Sequence, residues 1–153
     1  MSDIAVTTGG SHPDDVRRIL ATIPTWFGFA EENERYVEKA STLPNVVARI
    51  GDEVVGVCLL LRHSALSVEI DLLAVPAARH RRGIGRAILE HLEHSLRADG
   101  VRLLHLKMLG PSNDDAGYAK TRAFYERMGF VAMEERTDVW GPTQPCLFLV
   151  KPL

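Results

Sequence analysis

Residues 67–96, SVEIDLLAVPAARHRRGIGRAILEHLEHSL, run a β-rich segment into Pro76, then an arginine-rich turn around Gly83-Ile84-Gly85, then an amphipathic helix. This order constrains the fold more than any other part of the chain. Glycines at 83 and 85 remove Cβ atoms that would hold a ligand away from the backbone, and a helix starts directly after them. The unpaired amides of its first turn, the helix dipole and four arginines within eight residues, Arg79, Arg81, Arg82 and Arg86, favour a polyanion such as a pyrophosphate. No acid intervenes between Pro76 and Leu89.

Two nucleotide motifs are excluded by spacing. A Walker loop needs a Gly-Lys pair, which this chain lacks, and a Rossmann fingerprint needs a third glycine where Ile88 stands. A solvated basic face at a helix start is the plain alternative for a bare Gly-x-Gly.

The 153 residues suit one domain spanning 1–153, and 46% apolar with 25% charged residues is ordinary globular composition. A net charge of -2 gives no reason to expect nucleic acid, so the arginines form a local feature on a mildly acidic chain. Cys58 and Cys146 sit in apolar runs and read as buried thiols. The N-terminus, MSDIAVTTGG, has neither a basic nor an apolar leader region, and no apolar run approaches the ~20 residues of a membrane span. A cytoplasmic location and no membrane partner are the expectations.

Along the chain, residues 4–7 form a short candidate strand, and 13–23 a helix with Ser11 or Asp14 near its start and Pro24 at its end. An aromatic segment, 25–30, precedes a second helix over 31–43. Strands follow at 46–50, at 54–62 and from after Ser64 to Val75, with links short enough to make them antiparallel neighbours. The helix from Ile84 carries Ile84, Ile88, Leu89, Leu92 and Leu96 on one stripe and ends near Gly100. A central strand at 101–108, a polar loop at 110–117, a helix at 118–128 closed by Gly129, and strands at 130–139 and 146–151 complete the chain.

The strand, Arg-Arg-Gly-Ile-Gly, helix and apolar strand, followed by Ala-Phe-Tyr-Glu-Arg-Met-Gly-Phe at 123–130, closely resemble the GCN5-related N-acetyltransferase (GNAT) superfamily. The pattern covers about residues 45–151. The resemblance implies an α/β (α+β) fold with a central mixed, mostly antiparallel twisted sheet of six to seven strands and about four helices. It implies acetyl transfer from acetyl-CoA, as co-substrate and without a metal, to a primary amine of a small molecule or peptide in a ternary complex. A non-catalytic acyl-CoA-binding protein of the same fold is the alternative. Homodimers are frequent among similar proteins, and a homodimer is one possible assembly.

In the family, the turn matching Arg81, Arg82, Gly83, Ile84, Gly85 and Arg86 binds the pyrophosphate. His80 stands where Gln or Arg is usual. The strand end at Leu73, Ala74 and Val75 lies along pantetheine, pairing with it as an added strand, and a splay between this strand and the fifth admits the thioester. Tyr125 occupies the position of the general acid that protonates the leaving thiolate. The alternative for it is a core tyrosine at a helix end.

Alternation in SVEIDLLAV puts Glu69 and Asp71 on one face and Val68, Ile70 and Leu72 on the other. Glu69 matches the acid that removes the amine proton in relatives, with Asp71 as second choice. The two acids would also attract a cationic acceptor, and a solvated strand face is the bland alternative. The oxyanion donor is expected from the backbone N–H of Leu73 or Val75, since Pro76 has none. The family's second block often has Asn and Ala where Tyr118 and Thr121 stand here; Asn113 in the preceding loop is a candidate for the missing amide contact to the cofactor, beside Tyr118 itself. Trp26, Phe27 and Trp140 lie in loops that flank the acceptor channel in this fold, although core packing suits each equally. His91 and His94, with Glu90 and Glu93, have helical metal-ligand spacing but read as a solvated face.

Overall fold

The computed structural model describes residues 3–23 and 30–153. In chain order the elements are β1 (Ala5–Thr8), α1 (Pro13–Ala21), α2 (Ala30–Lys39), β2 (Asn45–Ile50), β3 (Glu53–Arg62), β4 (Ser67–Ala74), α3 (Ile84–Ala98), β5 (Leu103–Leu109), α4 (Ala116–Arg127), β6 (Val131–Arg136) and β7 (Cys146–Pro152). The strands make one seven-stranded sheet in the order β1-β2-β3-β4-β5-β7-β6, antiparallel except between β4 and β5. Among the described residues, no helix is long and apolar enough to cross a membrane.

The expected elements are present, with shifts at their ends that have local causes. Helix α1 starts on Pro13 with His12, not Ser11 or Asp14, at its N-cap, and no side chain caps it. Helix α4 begins two residues before Tyr118, because Asp115 accepts hydrogen bonds from the amides of Gly117 (2.8 Å) and Tyr118 (3.1 Å).

A core lies on each sheet face. Val16, Ile19 and Leu20 of α1 and Val37 of α2 pack with Val47, Val57, Leu59, Leu72 and Ala74 on one side. On the other, α3 brings Ile84, Ile88, Leu89, Leu92 and Leu96 against Val46, Ala48, Val55, Cys58, Val68 and Ile70. Gly56 lets α3 settle onto the sheet: a Cβ there would stand 2.8 Å from Ile88 Cδ1 and 2.9 Å from Ile84 Cγ2.

Helices α3 and α4 end in the same motif. After α3, the amide of Gly100 (φ +83°) bonds to Arg97 O and that of Val101 to Leu96 O. After α4, the amide of Gly129 (φ +94°) bonds to Glu126 O and that of Phe130 to Tyr125 O. Both are Schellman closures, in which glycine takes the left-handed turn and a hydrophobic contact spans it. In α4 that contact is Tyr125 against Phe130, with ring centroids 5.3 Å apart. The sequence Tyr-Glu-Arg-Met-Gly-Phe is thus a helix stop that aims a tyrosine.

Strand β4 departs from simple alternation. Leu59 pairs with Leu72 but Leu60 pairs with Ile70, so Asp71 is an extra residue in β4. Val68 and Ile70 face the α3 core, whereas Leu72 and Ala74 face the α1/α2 core. The expectation that Leu72 shares a face with Val68 and Ile70 is therefore corrected. The bulge also turns Leu73 and Val75 toward α3, where they pack against that core.

Candidate active site

The parallel pairing of β4 and β5 is short: Ser67, Val68 and Glu69 pair with Leu103, Leu104 and His105. Beyond Glu69 the strands part, while β5 stays paired to β7 along its whole length, from Leu103↔Pro152 to Leu109↔Cys146. The edge of β4 facing β5 is thus left without a strand partner after Glu69. This is the expected splay, and its apex is the Glu69 and His105 pair.

A cleft of about 920 Å³ opens between α3, α4 and the end of β4. Leu73, Ala74 and Val75 line one stretch, Arg81, Gly83, Ile84, Gly85 and Arg86 another, and Tyr118 and Tyr125 a third. Arg82 and Asn113 do not line it. The Asn113 side-chain oxygen instead accepts from the amide of Asp115 at 3.0 Å. Trp140 is exposed on the loop between β6 and β7, and Trp26 and Phe27 lie outside the described residues.

At the cleft mouth a short 3₁₀ turn, Ala77–Arg79, leads to Arg81, whose φ of +63° is the one positive value outside glycine among the described residues. Such backbone costs about 1–3 kcal/mol and gathers at functional turns. Gly83 follows with φ +80° as the N-cap of α3, and no side chain caps the helix. The first-turn amides therefore remain available to an anion.

The two glycines divide their work differently from the expectation. A Cβ on Gly83 would meet nothing within 4 Å, so that glycine serves the left-handed backbone. A Cβ on Gly85 would stand 3.1 Å from Phe124 Cζ, so Gly85 serves the packing of α3 on α4.

The arginines divide as well. Arg79 pairs with Glu53 and Arg86 with Glu90, each at 2.8 Å. Arg81 and Arg82 make no ion pair among the described residues. Lys120 and Arg127 of α4 add cations to the facing wall, a contribution that the sequence reading did not single out. His80 ties the turn to the strand end through Nε2 and Val75 O, 2.7 Å apart.

Tyr125 is buried on the cleft wall, its ring held edge-on between Phe124 and Phe130. Burial, and then the proximity of Cys58, raise its hydroxyl well above the ordinary tyrosine range, so the proton is retained at neutral pH. Tyr118 is raised in the same direction, first by burial and then by Asp115.

Glu69 is buried, at 5% exposure, and it is not alone. Its Oε1 lies 2.7 Å from His63 Nε2 and its Oε2 3.6 Å from Lys107 Nζ. Asp71 is paired with Lys39 at 3.2 Å. The two acids are therefore not a free anionic patch, since a lysine attends each. Tyr36 of α2 is near both, and its pKa is pushed up to about 12, first by burial and then by Asp71. Lys39 of α2, His63 of the turn after β3, and His105 and Lys107 of β5 carry no motif, so nothing in their local sequence marks them.

Glu93 overturns one expectation. It does not belong to a solvated face but is 4% exposed, with Lys151 Nζ 2.6 Å from its Oε1. His91 Nε2 lies 2.9 Å from Thr8 Oγ1, and Glu90 holds Arg86.

The description "Acetyltransferase (GNAT) domain" belongs to the family model that matches residues 42–132. The chain belongs to the GNAT acetyltransferase family. The match spans the splay, the uncapped start of α3 and Tyr125.

Solved GNAT structures extend the likeness to the whole chain. A GNAT-family protein of Desulfovibrio desulfuricans superposes with a TM-score of 0.86 at 23% identity, over 98% of this chain and 99% of that one. The ribosomal-protein-S18-alanine N-acetyltransferase of Escherichia coli gives 0.78 at 19%, over 98% and 94%. A GNAT acetyltransferase of Elizabethkingia anophelis with acetyl-CoA bound gives 0.71 at 17%, over 98% of both chains. At these identities the likeness shows the GNAT fold and leaves the acceptor open. Among curated proteins, none matches by sequence.

Proposed function

We propose that this protein transfers an acetyl group from acetyl-CoA to a primary amine of a small molecule or peptide, by direct attack in a ternary complex. One observation carries the reading. A single cleft joins the uncapped start of α3, the strand end at Leu73–Val75 and the buried Tyr125. A pyrophosphate suits the first, an extended amide chain the second and a thiolate leaving group the third.

In this reading the first-turn amides of α3 and Arg81 hold the pyrophosphate, with Lys120 and Arg127 contributing charge. The unpaired edge of β4 aligns the pantetheine amides. The amide of Leu73 or Val75 donates to the carbonyl oxygen as it gains charge. Glu69 takes the amine proton, with Asp71 the second choice, and Tyr125 gives its proton to the departing thiolate. Direct attack also fits the cysteines: Cys58 and Cys146 are buried, and burial pushes both thiols up, Cys58 to about 12. The lysines on Glu69 and Asp71 leave no surplus negative charge there for a polycation, so singly charged amines lead the acceptor screen.

The test is calorimetric titration with acetyl-CoA and with a CoA fragment lacking the 3′,5′-ADP portion, followed by thiol release across a panel of primary amines. Acetyl-CoA binding that weakens for the fragment and for Arg81→Ala, with amine-dependent release of CoA, supports the reading. Tight binding without release for any amine would favour a binding protein. No binding by the folded protein would remove the reading.

A further inference from the structure

A buried carboxylate that accepts a proton in each turnover needs a route to discharge it. Glu69 is sealed by its strand neighbours, yet its Oε1 touches His63 Nε2 at 2.7 Å. His63 begins the turn after β3, and its side chain is 50% exposed against 7% for that of Glu69. The imidazole therefore spans from the buried oxygen to water. Its backbone is held by hydrogen bonds from the amides of His63 and Ser64 to Ser67 O, at 3.0 and 3.2 Å. The ring is presented by a closed hairpin turn.

The groups facing His63 are Glu69 from β4 and His105 from β5, and Lys107 of β5 faces Glu69 from its other side. The His105 ring is 5.2 Å away, with Nε2 engaged by Ser67 Oγ at 2.9 Å. Lys107 sits on the far oxygen of Glu69. The neighbouring Arg62 points its guanidinium at Asp99, 3.1 Å away.

We propose that His63 and Glu69 form a proton relay, carrying the acceptor's ammonium proton from the buried carboxylate to solvent. The inference rests on the reading of Glu69 as the base. An ammonium N–H bond breaks and the proton joins a Glu69 oxygen. It passes to His63 Nε2, leaving Glu69 ionised and the ring an imidazolium. The imidazolium then gives its Nδ1 proton to water or buffer, and tautomer exchange at the half-exposed ring frees Nε2 again. The neutral amine attacks the thioester, and no redox partner is involved.

The direction of transfer follows from exposure: the His63 side chain is 50% exposed and that of Glu69 7%, so the ring is the group that can hand the proton on to water.

The experiment compares wild type, His63→Gln, His63→Ala and Glu69→Gln, using acetyl-CoA with benzylamine and alaninamide as acceptors and thiol release as the readout. His63→Gln keeps a side chain that can donate a hydrogen bond to Glu69 but cannot take up and release a proton. Its kcat/KM is expected to fall about a hundredfold with acetyl-CoA affinity unchanged, and its pH profile to lose the imidazole inflection. Imidazole added to His63→Ala is expected to restore turnover, a response that a merely structural histidine does not give. Wild-type kcat/KM and pH profile in His63→Gln, or a folded His63→Ala that ignores imidazole, would overturn the relay. If Glu69→Gln is impaired in those cases, the base assignment stands without it. Full turnover in Glu69→Gln, or none from the wild type, removes the base reading and the relay together.

Discussion

The ring of Phe124 occupies the space that a side chain at position 85 would need, with Phe124 Cζ 3.1 Å from where a Cβ on Gly85 would stand. Helix α3 is thereby held against α4, which sets the uncapped start of one helix relative to Tyr125 in the other. Gly85→Ala is expected to cost about 1–3 kcal/mol by overpacking and to weaken acetyl-CoA binding. Phe124→Leu in the same chain should recover part of the stability. Gly83→Ala should lose about 1–2 kcal/mol through its left-handed φ, with no recovery from Phe124→Leu. Denaturant unfolding of the two pairs separates crowding from backbone strain.

Tyr125→Phe leaves the ring stack with Phe124 and Phe130 intact and removes the proton. Turnover should drop by about 10²–10⁴ while acetyl-CoA affinity and melting temperature stay near those of wild type. Steady-state kinetics beside calorimetry is the check. Unchanged turnover would make Tyr125 a core tyrosine.

Glu93 and Lys151 join α3 to β7 on the cleft wall, and Lys151 also donates to Met128 O at 2.6 Å. Lys151→Met strands a buried carboxylate whose second oxygen has no partner, leaving Arg97 at 3.4 Å. The expected cost is about 3–5 kcal/mol. Adding Glu93→Gln should return much of it, because a neutral amide is far cheaper to bury. A double-mutant cycle by chemical denaturation measures the coupling.

Stability should fall on acidification through the imidazole range. Burial lowers the pKa of His105, with Glu69 opposing and His63 and Lys107 reinforcing the shift. The folded chain therefore binds this proton later than the unfolded chain does as pH falls. Its contribution is present above the ordinary imidazole value and is lost as pH drops through the lowered folded one. Unfolding at about pH 8 and about pH 5 should show a smaller loss in His105→Gln than in wild type.

Much of this architecture is written in contiguous residues. Arg-Arg-Gly-Ile-Gly marks the uncapped start of α3 because a left-handed glycine and a helix start are properties of neighbouring dihedrals. Tyr-Glu-Arg-Met-Gly-Phe marks the close of α4 for the same reason, since the Schellman bonds span six residues. The strands and helices are legible from periodicity, whereas Glu69 as the base rests on the family resemblance and is a proposal.

These local units and their order follow from short stretches of contiguous chain. What surrounds them depends on how distant segments pack. Asp71 becomes a bulge only because β3 pairs with β4 in a shifted register, and that turns Leu72 to one core and Leu73 to the other. His63, His105 and Lys107 gather at Glu69 only because β5 lies parallel beside the start of β4 and then diverges. Glu93 is buried only because Lys151, on β7, arrives to pair with it. Helix stops and turns depend on bonds a few residues apart, which a short stretch of chain encodes. Registers, splays and ion pairs depend on which distant strand arrives alongside.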